Sequence, residues 1–156
     1  MTLRELRKNK GITQQEAADF VGVPLRTYSN YENDFRRQTN IKYKYMMEKL
    51  YTYGYIDEEN GILTLEEIKK TCASILAKYP VEYCYLFGSY AKGKAVATSD
   101  VDLLIYTTLS GLKFYGLVEE LRESLKKKVD VLDQKQIKDN FELTNEILKD
   151  GIKIYG

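Results

Sequence analysis

The stretch "GSYAKGKAVATSDVD", residues 88–102, is the part of the chain from which the fold can be inferred. It begins with a Gly-Ser pair and ends with Asp100 and Asp102, and ten residues separate Ser89 from Asp100. The run "VEYCYLF" precedes it and "LLIY" follows it, so the stretch joins two predicted strands. Because side chains two residues apart face the same way on a strand, we expect both aspartates on one face.

Two carboxylates on one face of a strand are costly unless a cation lies between them. Oxygen-only ligands favour Mg²⁺ or Mn²⁺. A third predicted strand, "VDVLD" (residues 129–133), offers Asp130 and Asp133, which face opposite ways. We choose Asp130 as the further ligand because the valines beside it turn into the core. The chain has no histidine, which excludes zinc sites with His ligands and His general bases.

The Gly-Ser pair suits the binding of phosphate. Gly88 allows the backbone to approach an anion, and the Ser89 hydroxyl with the following N–H groups can cradle phosphates. Either Lys92 or Lys94 could help to hold a triphosphate. A triphosphate held over two divalent ions is the arrangement for nucleotidyl transfer.

This pattern of Gly-Ser, ten residues, Asp-x-Asp and a later Asp resembles the DNA polymerase β-like nucleotidyltransferase superfamily, most closely its minimal nucleotidyltransferases. The resemblance implies ATP as substrate and Mg²⁺ or Mn²⁺ as cofactor. It assigns catalysis and metal binding to Asp100, Asp102 and Asp130, with Asp130 accepting the proton of the attacking hydroxyl. The nucleotide-binding candidates are Gly88, Ser89, Lys92 and Ser99.

Sequence patterns in the N-terminal third of the chain predict four short helices. "TLRE" (residues 2–5) and "TQQE" (residues 13–16) fit the capping box, Pro24 suits the first turn of a third helix, and Asn40 can cap a fourth. Residues 1–50 hold ten Lys and Arg against six Asp and Glu, a net charge of +4. This basic excess weakly favours a polyanionic partner.

The segment "LRELRKNKGITQQEAADFVGVPLRTYSNYEN", residues 3–33, resembles the Cro/phage-repressor class of helix-turn-helix. The resemblance implies that the third helix lies in the major groove of operator DNA. Arg26 can read guanine and Asn30 adenine. The DNA-binding candidates are Gln14, Arg26, Thr27 and Asn30. The alternative is a module for packing or dimerisation only.

We therefore predict an α+β protein with an all-α helix-turn-helix head and a small α/β nucleotidyltransferase domain, whose short mixed sheet is flanked by helices. The expected boundaries are residues 1–56 for the DNA-binding domain, 57–61 for a linker and 62–156 for the catalytic domain. The order expected after the linker is helix, strand, strand, helix, strand, helix. The last helix is expected to place one set of residues on a single face, namely Ile137, Phe141, Thr144 and Leu148.

Other patterns bear on location and surface. The chain has no run of about 18 apolar residues and no secretory signal at its start, so we expect a cytoplasmic protein with no membrane partner. Cys72 and Cys84 then favour reduced, buried thiols over a disulfide. "KKK" (residues 126–128) either steers ATP or forms a solvated helix end that complements the helix dipole.

The spacing resembles in particular the antitoxins of HEPN/MNT toxin–antitoxin pairs. This resemblance implies transfer of AMP to a tyrosine of a HEPN-type toxin, and the head adds repression of the protein's own operon. A homodimer or a hetero-oligomer with the toxin is expected. Two alternatives remain open: a small-molecule nucleotidyltransferase, and a DNA-binding regulator whose nucleotidyltransferase-like body has no catalytic activity.

Overall fold

A computed structural model describes all 156 residues. The chain divides into two compact units, Met1–Tyr55 and Ile56–Gly156, and each is described by itself. No helix in either unit is both long and apolar enough to span a bilayer. The predicted α+β fold class is confirmed: an all-α first unit is followed by a second unit with a four-stranded mixed sheet.

The first unit contains four helices and one 3-10 turn. The helices are α1 (Leu3–Asn9), α2 (Gln14–Val21), α3 (Leu25–Asn33) and α4 (Ile41–Tyr51), and the 3-10 turn is Phe35–Thr39. Both predicted capping boxes form, and the Asn40 side chain caps α4 by accepting from the Lys42 N–H. The helices enclose a core of buried side chains, among them Leu3, Leu6, Ala17, Ala18, Tyr28, Met46 and Leu50.

The second unit alternates helices and strands. Its elements are α5 (Leu65–Leu76), β1 (Val81–Phe87), α6 (Gly88–Ala91), β2 (Val101–Thr107), α7 (Gly111–Leu125), β3 (Val129–Asp133), α8 (Phe141–Asp150) and β4 (Ile152–Tyr155). The strand order is β3-β2-β1-β4. β1 is antiparallel to β2 and to β4, whereas β2 and β3 are parallel.

The two faces of this sheet pack differently. One face joins α5 and α7 in the main core, where Cys84, Leu86, Leu103 and Ile105 are buried. The other face packs Phe87 and Leu104 with Ile147 in a smaller cluster. Asp102 lies two residues from Leu104 on β2 and therefore points to this second face.

The structure corrects the predicted C-terminal region. The last helix was expected to present Phe141 and Leu148 with its packed face, but these side chains are 83% and 81% exposed. Ile147 is buried instead, because the helix lies across the second sheet face at a different rotation. A fourth strand, β4, follows the helix where no strand was predicted, and the Gly-Ser pair opens a short helix, α6, which was also not predicted.

Residues 126–128 are three consecutive lysines, predicted either to steer ATP or to form a solvated helix end. Lys127 fits neither prediction. Lys126 and Lys128 are exposed, but Lys127 is fully buried. Its ammonium neither faces solvent nor points towards the aspartates, since it donates to backbone carbonyls of two loops. The loop predicted as a linker is one of them: Asp57 accepts from the N–H groups of Glu59 and Asn60, so residues 57–61 form an ordered turn.

Candidate active site

The candidate active site is built around a pair of carboxylates. Asp102 on β2 lies directly opposite Asp130 on β3 in the parallel register. Asp102 is half-buried, whereas Asp130 is exposed. Burial, followed by the negative charges of Asp130 and Asp100, raises the pKa of Asp102 to about 6. The ionised pair therefore destabilises this sheet edge unless a cation or a proton compensates it.

Gly88 shapes the space beside the pair. It follows Phe87, which is opposite Asp102 in the antiparallel register. Gly88 has a φ of 73°, and a Cβ at this position would overlap the Asp102 carboxylate oxygen. Glycine is therefore required for two independent reasons, the left-handed backbone and the close approach of the carboxylate. The start of α6 and the aspartate pair thus form one site.

Asp100 lies immediately before β2, and its charge contributes to the raised pKa of Asp102. No group of three or more Asp, Glu, His or Cys side chains is close enough to hold an ion as the side chains stand. The donor set nevertheless suits a hard divalent ion, because Asp100, Asp102 and Asp130 offer only carboxylate oxygens.

Lys92 was predicted to hold a triphosphate, but in the structure it forms an ion pair within the protein. Its Nζ lies 2.9 Å from Oε1 of Glu146 on α8. The Glu146 charge also contributes to the raised pKa of Asp102, so Glu146 lies within electrostatic range of the aspartate pair. Sequence reasoning missed Glu146, because it follows Lys92 by 54 residues and belongs to no recognised motif.

The two serines that were predicted to bind the nucleotide, Ser89 and Ser99, differ in their surroundings. Ser89 is half-buried in α6, next to Gly88. The Ser99 hydroxyl accepts a hydrogen bond from the Val96 N–H at 2.9 Å and so closes the turn before Asp100. The structure thus gives Ser99 a role within the loop. Asp133, the acid not chosen, accepts from backbone N–H groups in the turn after β3.

An open groove of about 440 Å³ lies on the same sheet face as Asp102. Tyr83 and Tyr85 of β1 and Leu104 of β2 form one wall, and Thr144 and Ile147 of α8 form another. The tyrosines were predicted to lie in a strand, but the groove itself depends on where α8 packs. A sequence pattern on β1 alone contains no signal for it.

In the first unit, the predicted DNA-binding residues separate into two groups. Arg26 and Asn30 are exposed on α3, and Thr27 beside them is half-buried. The side-chain amide of Gln14 instead donates to Glu32 at 3.2 Å. The first group is available to a partner, whereas the Gln14 side chain is engaged within the unit.

Glu32 is the centre of a buried ionic network that sequence reasoning missed. Its side chain has no exposed surface, and the Arg7 guanidinium pairs with both carboxylate oxygens, at 2.8 and 2.9 Å. Burial alone would raise the pKa of Glu32, but hydrogen bonds from Arg7 and Gln14 together with the Arg7 charge lower it. This network joins α1, α2 and α3 and holds α3, the predicted recognition helix, in place.

The two cysteines are free and buried, in agreement with the predicted reduced thiols. Burial raises the pKa of Cys72 to about 12 and that of Cys84 well above its usual value. Both thiols are therefore protonated at neutral pH and unsuited to act as nucleophiles.

Comparison with known proteins identifies both units. Residues 70–156 match the family described as polymerase beta, nucleotidyltransferase, and residues 3–48 match a helix-turn-helix family. The Methanocaldococcus jannaschii protein named as protein adenylyltransferase MJ1215 is 38% identical over 80 residues, which are 47% of this chain and 93% of that protein. A second from the same organism, named as protein adenylyltransferase MJ0435, is 37% identical over 92 residues, 58% of this chain and 91% of that protein.

One solved structure agrees at the level of the fold. A crystal structure described as a toxin-antitoxin with AMP-PNP aligns with a TM-score of 0.50 and 23% identity, over 56% of this chain and 73% of that chain. The family match spans more than half of the chain, and the curated relatives are covered over nearly their whole length. This chain therefore belongs to the polymerase beta nucleotidyltransferase family and carries an N-terminal helix-turn-helix.

Proposed function

We propose that this nucleotidyltransferase transfers AMP from ATP to a tyrosine hydroxyl of a partner protein, a HEPN-type toxin, and so acts as its antitoxin. The observation that carries the proposal is the placement of Asp102 opposite Asp130, beside a glycine that admits no side chain. ATP is proposed as the donor because the relatives are named for adenylyl transfer.

Asp100, Asp102 and Asp130 would hold Mg²⁺ or Mn²⁺, which supplies positive charge to the triphosphate when bound. Gly88 and Ser89 would place backbone and hydroxyl groups against the phosphates. The tyrosine oxygen attacks the α-phosphorus of ATP, the bond from this phosphorus to the bridging oxygen breaks, and pyrophosphate leaves. Asp130 accepts the phenolic proton, which its exposure on the sheet edge allows.

Lys92 is proposed to exchange partners when the nucleotide binds. In the structure its ammonium is neutralised by Glu146. Both side chains are one-third exposed, so their pairing is weak enough for a triphosphate to compete with it. Glu146 would then remain within electrostatic range of Asp102 as a further negative charge.

The first unit is proposed to repress the protein's own operon. Arg26 and Asn30 are exposed on the recognition helix, where they can reach base edges in the major groove. The Arg7–Glu32 network keeps that helix fixed against α1 and α2. ATP and operator DNA both occur in the cytoplasm, where we expect the protein to act as a homodimer or in complex with the toxin.

The enzymatic proposal is tested by incubating the purified protein, Mg²⁺ and the product of the adjacent gene with ATP labelled at the α-phosphate. We expect label on the neighbouring protein, and its loss in D100A, D102A and D130A. ATP labelled at the γ-phosphate is the matched control, because a kinase would transfer that label and an adenylyltransferase would not.

The same experiment separates the alternatives. Label on an aminoglycoside added in a parallel reaction, with none on protein, would establish a small-molecule nucleotidyltransferase instead. No label on any acceptor, with Mg²⁺ and Mn²⁺ both tried, would contradict catalysis and favour the DNA-binding regulator. Replacing the tyrosines of the partner with phenylalanine, one at a time, identifies the acceptor hydroxyl.

Repression is tested by the binding of promoter DNA to the purified protein, followed by fluorescence anisotropy. We expect R26A to weaken binding of the specific site about tenfold or more, because a bidentate base contact contributes ~1–3 kcal/mol of discrimination. The matched control is K44A, which removes one positive charge from an exposed position on α4. Equal losses in the two variants would contradict base reading by Arg26.

A further inference from the structure

Lys127 is a buried lysine in the turn between α7 and β3. Lys126, just before it, ends α7 with a φ of 60°, the one non-glycine residue in the chain with a positive φ. This left-handed conformation costs about 1–2 kcal/mol and reverses the chain. The next side chain, Lys127, is 0% exposed, whereas those of Lys126 and Lys128 face solvent. The turn is thus built so that the middle lysine points inward.

The Lys127 ammonium has three backbone acceptors and no carboxylate partner. Its Nζ donates to the carbonyl oxygens of Asn60 at 3.1 Å, Gly61 at 2.7 Å and Ala97 at 2.5 Å. All three of its N–H donors are therefore satisfied. Burial lowers the pKa of Lys127, and the charge of Asp57 opposes this shift. Burying a charge is costly, and a hydrophobic side chain could fill the same space without holding any carbonyl.

The acceptor at Ala97 belongs to the loop that leads into the aspartates. This loop connects α6 to β2, and Ala97 precedes Asp100 by three residues. The Ser99 hydroxyl closes the same turn by accepting from the Val96 N–H. The sheet register between β2 and β3 begins at Val101, whose N–H donates to the Lys128 carbonyl at 2.9 Å, so this pairing holds the chain after Asp100 but not before it. The position of the Asp100 carboxylate therefore depends on how this loop is held.

We propose that Lys127 is a positioning residue for the metal site: by holding the Ala97 carbonyl, it keeps the loop of residues 95–99 in one conformation and so sets where the Asp100 carboxylate lies relative to Asp102 and Asp130. This inference rests on the proposed function of the three aspartates. The carbonyls of Asn60 and Gly61 anchor the ammonium from its other side, so the ordered turn at residues 57–61 belongs to the same arrangement.

The test measures Mn²⁺ binding, with Mn²⁺ alone as the probe and electron paramagnetic resonance as the readout, so that activity is not required. The test variant is K127M, which keeps the side-chain length and removes the three donors. The charge-matched control is K128M, whose lysine is exposed and adjacent. The stability-matched control is L121A, which removes a fully buried side chain from α7 in the same core.

We expect K127M to weaken Mn²⁺ binding about ten- to a hundredfold, the range typical of residues that orient metal ligands. K128M should bind Mn²⁺ like the wild type, and L121A should melt at a lower temperature without weaker Mn²⁺ binding. Hydrogen exchange should speed up in K127M at residues 95–99 and 60–61. Raised Mn²⁺ should restore part of the AMP transfer in K127M but none in D102A.

If K127M melts at a lower temperature but binds Mn²⁺ like the wild type, Lys127 only stabilises the fold and the inference is wrong. S99A is the second variant, should K127M not fold: it opens the same turn and leaves Lys127 in place. Unchanged Mn²⁺ binding in S99A would also overturn the inference. If the wild type and D102N bind Mn²⁺ equally weakly, the metal site itself is absent, and this result identifies a failure of the proposed function.

Discussion

The two units bury acidic side chains in opposite ways. In the first unit, the Glu32 carboxylate has no exposed surface and is paired with both nitrogens of the Arg7 fork. In the second unit, Asp102 is half-buried against another carboxylate, Asp130, without a basic partner. The pKa of Glu32 is lowered and that of Asp102 is raised. The paired acid thus stabilises the fold, whereas the unpaired acid belongs to the site where we propose that a cation binds.

D102N should have the largest effect and should separate activity from stability. AMP transfer, the proposed reaction, should fall to background, because a carboxylate that is proposed to hold the cation is lost. In EDTA, however, the variant should be more stable than the wild type by about 1 kcal/mol, a figure discounted for solvent exposure, because like-charge repulsion is relieved. Thermal melting with EDTA and with Mg²⁺ checks this. A lower melting temperature in EDTA would contradict the idea that Asp102 is strained in the metal-free protein.

G88A should impair both the fold and the site. A left-handed backbone costs about 1–2 kcal/mol for a residue with a Cβ, and the added atom would displace the Asp102 carboxylate. We expect AMP transfer to fall about a hundredfold, the effect of misplacing a reactive group by about 1 Å. The matched control is G93A, since Gly93 has a φ of 70° and no atom near its Cβ position. Equal activity of the two variants would show that strain alone matters.

E32Q should destabilise the first unit and leave AMP transfer unchanged. Breaking a buried ion pair costs about 3 kcal/mol, and the recognition helix should lose its fixed position, so promoter binding should weaken. Because the pKa of Glu32 is lowered from 4.5, its contribution is present above pH 4.5 and is lost as the pH falls through the lowered pKa. Chemical denaturation of the first unit at a series of pH values around and below 4.5 measures this contribution of Glu32 to the free energy of unfolding.

The control for E32Q is D34N, which removes a more exposed partner of Arg36 and Arg37. Exposed ion pairs contribute ~0–1 kcal/mol, so D34N should change stability little. If both substitutions cost the same, the contrast between a paired, buried acid and a surface acid does not hold in this unit.

Substitutions of Lys92 and Glu146 should have the smallest effects, and they should change KM for ATP in opposite directions. K92Q should raise KM for ATP about threefold, and E146Q should lower it by a similar factor, because the pairing of two partly exposed groups is weak. Steady-state kinetics at saturating Mg²⁺ measure KM for ATP in both variants. If E146Q raised KM instead, Glu146 would be helping to hold the cation rather than competing for Lys92.

Much of the fold could be predicted because its signals are local. The two predicted capping boxes of the first unit each lie within four residues, and both form as predicted. Alternation along "VDLLIY" and "VDVLD" predicted strands with Asp102 and Asp130 on one face, and the structure places them opposite each other. β4 was missed because "IKIY" is four residues long and is a strand only through its pairing with β1.

The sequence by itself therefore determined the capped starts of α1, α2 and α4, the three longer strands, and the acids Asp100, Asp102 and Asp130, since steric and hydrogen-bonding preferences act between near neighbours. Only the tertiary structure decided which charges are paired. Gln14 donates to Glu32, Lys92 pairs with Glu146, and Lys127 is buried among three carbonyls. These partners lie 18 or more residues away in the chain. Electrostatic interactions depend on distance in space, which packing sets and local sequence patterns do not encode.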